Sequence, residues 1–150
     1  MSLAVVKASI PAMTATALAK VNALEAEIAR HPQLDVETDH VFHAGMYART
    51  VTLPANAVFT GAQHTRATLL IVQGDVTLYL GDDTLHVTGY AVVPASAGRK
   101  TAYWTHSETT LTVVAPTNCT TVEDVEREMT TEPMALVSKR CHNKVTNTGE

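Results

Sequence analysis

The stretch HTRATLLIVQGDVTLYL, residues 64–80, decides how this sequence folds. Residues 68–72, TLLIV, make a short apolar run rich in branched side chains, the composition of a buried strand. Gln73-Gly74-Asp75 reads as a turn. From Val76 the pattern alternates: Val76, Leu78 and Leu80 face one side of a sheet, Thr77 and Tyr79 the other. The expectation is therefore a strand, a turn and a second strand. Upstream, Gly61-Ala62-Gln63-His64 follows another alternating segment and places a histidine at the entrance to this unit.

Downstream, Gly81-Asp82-Asp83 is a hairpin turn signal. Residues 84–88 alternate, with Leu85 and Val87 inward and His86 outward. Gly89 is expected to break that strand, residues 91–93 are short and apolar, and residues 94–98 form a loop. The last two strands are expected at 100–105 and 110–115. On the N-terminal side, strands are expected at 34–37 and 40–53, with Gly45 as a bulge or bend. Tyr47, Arg49, Val51 and Leu53 share one face of the second segment. Pro54-Ala55-Asn56 is a turn, and residues 58–61 begin the next strand. Short strands at regular spacing with turn residues between them predict an all-β sandwich or barrel.

The flanks differ. Residues 1–11 read as an irregular arm. From 13 to 30 the pattern is helical, with Ala17, Val21, Leu24 and Ile28 in one apolar stripe that packs either on the barrel or on a second subunit. His31-Pro32 ends this helix, because the residue before proline avoids the helical region. Thr121-Val122-Glu123-Asp124 matches a helix start with acids in the first turn, and predicts a short helix to Met129. From Thr131 on, the tail is mostly polar and carries Lys139, Arg140 and Lys144; such a tail frays unless a neighbouring subunit holds it. The chain thus divides into an arm and helix (1–33), a β-barrel (34–116) and a C-terminal helix and tail (117–150).

At 150 residues the chain suits one domain, and 45% apolar against 17% charged residues is the composition of a folded globule. A formal charge of −4 with no basic block argues against nucleic-acid binding. There is no signal-peptide pattern at the start and no apolar run of membrane length, so a soluble protein made in a cytoplasm, without membrane contact, is expected. Cys119 and Cys141 are expected as free, reduced thiols. Neither belongs to a CxxC pair, and Cys141-His142 is too isolated for a zinc site.

Several pieces recur in a familiar order: Pro32-Gln33-Leu34-Asp35, the run from His40 to Arg49, Leu53-Pro54-Ala55, and Thr60-Gly61-Ala62-Gln63-His64. They are followed by Gly74-Asp75-Val76, by Pro94 with Gly98 and Lys100, by His106, and by the segment from Thr121 to Glu128. In this order and spacing, roughly two thirds of the chain resembles the small cupin-domain proteins of tailed bacteriophages. The resemblance implies a mainly β fold: a cupin-like jelly-roll barrel with an N-terminal helix, a short C-terminal helix and a polar tail. Metal-dependent cupins are similar to one another in carrying two close histidines and a glutamate between two glycines, and a further histidine after a Pro-x-Gly motif. Here Gly61, His64, Gly74, Pro94 and Gly98 keep that frame. Arg66, Ala67 and Thr68 stand where further ligands are expected, and Arg99, Lys100 and Thr101 follow Gly98.

One matched histidine does not hold a metal, since such sites need three or more protein ligands. No cofactor and no catalytic residue are therefore expected. If a divalent transition metal binds, its ligands are His64 with His40 or His106. Tyr47, Arg49 and His64 are the candidate ligand-binding residues at the barrel mouth. No Gly-x-Ser-x-Gly elbow, phosphate-binding glycine loop or His-Glu-x-x-His pair is present. The expected function is non-catalytic. The protein would act by assembly, with itself as a homo-oligomer and with a phage capsid or other virion protein, as a head decoration or cement component. It would be found in the virion or the host cytoplasm. Two alternatives remain open: a metal-dependent isomerase or dioxygenase, and a module that binds a sugar or other small molecule.

Overall fold

The computed structural model describes residues 8–139 and 142–150 and is mainly β. In chain order the elements are α1 (Ala15–Ile28), β1 (Thr38–His43), β2 (Met46–Leu53), β3 (Val58–Thr60), β4 (Thr68–Tyr79), β5 (Thr84–Ala95), β6 (Ala102–Thr105), β7 (Thr109–Pro116), α2 (Val122–Met129) and β8 (Asn143–Asn147). The strands form one sheet curled into a half-barrel, in the order β3-β6-β4-β7-β2-β1-β8, with β5 also paired to β4.

The deciding stretch is one strand, not two. Gln73-Gly74-Asp75 lies inside β4, which pairs with β5 without interruption from Thr68↔Ala95 to Tyr79↔Thr84. The other edge of β4 is shared, with Leu69 to Gln73 on β7 and Val76 to Tyr79 on β6. Gly74 stands at the changeover, and a Cβ there would lie 2.5 Å from Thr109 Oγ1 and 2.8 Å from the Glu108 carbonyl. Its φ of +142° bends the strand, and its register partner Gly89, at φ +87°, bends β5 at the same level. Both glycines are bends within long strands, which is why neither ends its strand as expected.

The alternation read from the sequence holds through the bend. Val76 and Leu78 are fully buried, Val87 is buried, and His86 is exposed. Tyr47, Val51 and Leu53 on β2 are buried as well, and Arg49 faces the same side. The expected long segment 40–53 is instead the hairpin β1–β2, closed by Ala44-Gly45 with both residues at positive φ, so Gly45 is a turn residue rather than a bulge. Residues 34–37, expected as a strand, carry no strand pairing.

The helices follow their patterns. Thr14 caps α1 by accepting from the Ala17 N–H, and Ala17 and Val21 bury the stripe against the sheet. Thr121 caps α2 in the same way, and Val125 and Met129 cover a smaller apolar cluster with Phe42, Tyr47 and Ala115. The main cluster lies inside the curl, around Leu53, Leu70, Val72, Val76, Leu78 and Val93. Part of the polar tail is paired within the chain itself. Its residues 143–147 form β8, parallel to β1, with every side chain exposed.

Candidate functional site

A cavity of about 350 Å³ opens inside the curl, between the end of α1, the inner faces of β2 and β3, and α2. Its walls are largely apolar, with Val51, Leu70, Tyr103, Leu111, Val113 and Met129 among them. Tyr47, Arg49 and His64, the three candidates read from the sequence, all line it. Tyr47 and Arg49 arrive there because the alternation of β2 turns both inward. His64 lies beyond the end of β3. Its backbone is held by the bond from its N–H to the Arg99 carbonyl (2.9 Å) and by the Gly98 N–H donating to its own carbonyl (2.7 Å).

The Arg49 guanidinium donates to Glu126 Oε2 at 2.7 Å, and Glu126 is only 2% exposed. The Ser138 hydroxyl also donates to Glu126, and Lys139 Nζ lies 3.1 Å from its second oxygen. Burial alone would raise the pKa of this carboxyl. The Ser138 bond and the Arg49 and Lys139 cations outweigh it and hold Glu126 below the usual carboxylate range. Glu126 was not among the candidates. It sits next to Val125 on a short amphipathic helix, and nothing local announces a partner 77 residues away in sequence.

The side-chain environment of His64 is unusual. Arg99, 1% exposed, places Nη1 2.9 Å from His64 Nδ1 and donates through Nη2 to Thr68 Oγ1 at 2.7 Å. A guanidinium can only donate, so where Nδ1 accepts from Arg99 the His64 proton resides on Nε2. The Ala62 carbonyl, 3.0 Å from the same Nδ1, can only accept and competes with Arg99 for that nitrogen. Burial, then the Arg99 charge, pushes the His64 pKa down to about 3, so the ring is neutral near pH 7. Arg99, which directly follows Gly98, thus sets a cation against the histidine on the cavity wall.

The other two imidazoles are elsewhere. His40 is 1% exposed, with Nδ1 2.6 Å from the Tyr47 hydroxyl and Nε2 2.9 Å from Asn143 Oδ1. The amide oxygen accepts from Nε2–H, so Tyr47 donates to Nδ1 and both ring nitrogens are used. Burial is the chief cause that lowers the His40 pKa. His106 lies on the outer face, where its Nε2 meets Thr77 Oγ1 at 2.8 Å and its ring stands against Trp104. Among the described residues, His64, His40 and His106 form no group close enough to share an ion. The first-motif positions are also engaged: Arg66 pairs with Glu128 at 2.9 Å, and Thr68 accepts from Arg99. The residues around His64 do not fit a metal cation.

Two further buried features escaped the sequence reading. Lys100, fully buried, bridges Glu25 on α1 at 2.9 Å and Glu132 at 3.0 Å, and so ties the helix and the C-terminal segment to the barrel. Arg99, by contrast, faces no carboxylate among the described residues, and its Nε has no partner. Cys119 is free, its thiol donating to Glu128 at 3.3 Å. Cys141 and Arg140 lie outside the described residues.

The sequence matches no protein-family model and no curated protein. The chain is similar to several solved structures. A cupin superfamily protein from Desulfitobacterium hafniense is 11% identical, with 76% of this chain and 100% of that chain covered at a TM-score of 0.47. A Klebsiella pneumoniae protein with a double-stranded β-helix domain is 15% identical over 63% of this chain and 84% of that one, at 0.48. The cupin domain of Schizosaccharomyces pombe Cnp3 is 17% identical over 64% and 76%, at 0.46. The chain is a mainly β protein with a sheet curled into a half-barrel and two helices, and cupin-domain proteins are among the solved structures it is similar to.

Proposed function

We propose that this chain is a cupin-fold binding protein whose cavity takes a small, largely apolar molecule bearing one carboxylate or carbonyl group. The observation that carries this reading is the pair of polar groups on an apolar-walled cavity, the His64 imidazole, taken as a donor through Nε2, and the Arg49 guanidinium. Arg49 gives one N–H to Glu126 and has others to offer, while His64 Nε2 has no partner among the described residues. The volume of about 350 Å³ sits at the lower end of small-molecule sites, about 300–1,000 Å³. A neutral histidine with a pKa of about 3 is a poor general acid or base at pH 7, which favours binding over catalysis.

Thermal-shift screening with aromatic and branched aliphatic monocarboxylates tests it. A ligand at a hundred times its Kd stabilises the fold by about 2.7 kcal/mol, several degrees in Tm. The shift is expected in the wild type and not in Arg49→Met. A panel that moves neither protein overturns the reading.

Assembly in a phage particle is the second reading, and a different observation favours it. Leu69, Tyr90, Val92 and Trp104 are exposed on the outer face, and β8 offers a free strand edge with exposed side chains. Recovery of the chain from purified particles by mass spectrometry supports this reading, and its absence at a sensitivity that detects minor proteins counts against it.

A further inference from the structure

A second cluster of ligating side chains lies outside the cavity. Asp75 on β4, His86 on β5 and His106 just after β6 each offer one ligand atom, and these atoms lie within 4.8 Å of one another. The sheet brings them together by register. Thr77 pairs with His86 across β4–β5 and with Trp104 across β4–β6, and Asp75, two residues before Thr77, shares its outer face. The His106 N–H donates to the Asp75 carbonyl at 2.8 Å, which fixes the third member on the backbone. The paired glycines Gly74 and Gly89 bend both strands immediately beside the cluster.

We propose that Asp75, His86 and His106 form a divalent transition-metal site on the outer face of the barrel. Two imidazoles and one carboxylate are the donor set of zinc, cobalt, nickel or ferrous iron rather than of calcium or magnesium. The charges agree: one carboxylate and two imidazoles face the ion, and none of the three is paired with Lys or Arg among the described residues. Without metal, His86 Nε2 rests 2.6 Å from Asp75 Oδ1 and His106 Nε2 rests 2.8 Å from Thr77 Oγ1. A tetrahedral ion with bonds of about 2.0 Å holds its ligand atoms about 3.3 Å apart. The ion therefore replaces the proton between His86 and Asp75, and His106 turns from Thr77 to complete the set. Three protein ligands leave a position open, so the site accepts water or a donor from another molecule.

Trp104 is the chain's one tryptophan, and its ring centroid is 4.6 Å from that of His106, so it reports occupancy directly. Tag-free protein titrated with cobalt(II) chloride at pH 7.5 should show quenching of Trp104 fluorescence that saturates at one equivalent and is reversed by a chelator. His86→Ala and Asp75→Asn, both at exposed side chains, should weaken this binding at least about tenfold, since loss of even a supporting partner costs that much. His31→Ala, on an exposed helix end, should leave it unchanged, and circular dichroism confirms that each variant is folded. No saturable quenching, or quenching equally strong in His86→Ala and Asp75→Asn, overturns the proposal.

Discussion

Arg99 Nη1 lies 2.9 Å from His64 Nδ1, so the one histidine on the cavity wall stands against a buried cation. The first prediction follows from removing that cation. In Arg99→Met the His64 pKa should rise above about 3 but remain below the ordinary 6.5, because burial is the larger cause and Arg99 the second. Replacing a buried guanidinium that faces no carboxylate by an apolar side chain should leave stability unchanged or raise it. An NMR titration of the imidazole in both proteins checks the first statement; a His64 pKa that does not move contradicts it.

Stability should fall as pH drops below about 6.5. His64 and His40 both have folded pKa values below the unfolded value of 6.5, that of His64 at about 3. Between the folded and unfolded values the unfolded chain binds more protons, so acidification favours unfolding, by up to about 1.4 kcal/mol per pH unit for each group. Glu126, held low in the fold, adds a loss at lower pH as it protonates. Urea denaturation at pH 7, 6 and 5 should show the decline, and His64→Gln should flatten it. A profile level from pH 7 to 5 would exclude this linkage.

Glu126→Gln should destabilise the protein by about 3 kcal/mol, the scale for removing one partner of a buried ion pair. It leaves Arg49 without its carboxylate and weakens the tie from α2 to Ser138 and Lys139. Chemical denaturation measures it, and a loss under about 1 kcal/mol would mean that the pair behaves as a solvated surface contact.

Gly74→Ala and Gly89→Ala separate backbone strain from crowding. Both positions have positive φ, but a Cβ at Gly89 meets nothing within 4 Å, whereas one at Gly74 collides with Thr109 and the Glu108 carbonyl. Gly89→Ala should cost about 1 kcal/mol from conformation alone. Gly74→Ala should cost about 4 kcal/mol, since overpacking against backbone is added. Equal costs in urea denaturation would mean that β7 simply shifts away from Gly74.

Alternation made much of the fold legible in the sequence. The inward set Tyr47, Val51, Leu53, Val76, Leu78 and Val87, and both helices, follow from side-chain period and caps. The misread points share one cause. Gly74 and Gly89 carry turn-like composition, yet each is opposite the other in an unbroken ladder, and only the pairing reveals a bend instead of an end. The tail reads as polar and unattached because β8 is held mainly by its ladder to β1, with His40–Asn143 as a side-chain tie, and neither leaves a trace in hydrophobic pattern. That Tyr47, Arg49 and His64 share one cavity follows from face and motif. Glu126, Arg99 and the cluster of Asp75 with His86 were not legible, because their partners come from distant strands and depend on register.

The most direct test of the account is the protonation of His64 in the presence of ligand. Long-range 15N–1H NMR of the imidazole, in protein free and titrated with a carboxylate that raises Tm, reads the tautomer and the contact together. The predicted result is a neutral ring with its proton on Nε2, and an Nε2–H resonance that shifts on binding in the wild type and not in Arg49→Met. A proton found on Nδ1, or a zinc ion bound through Nε2, would contradict it.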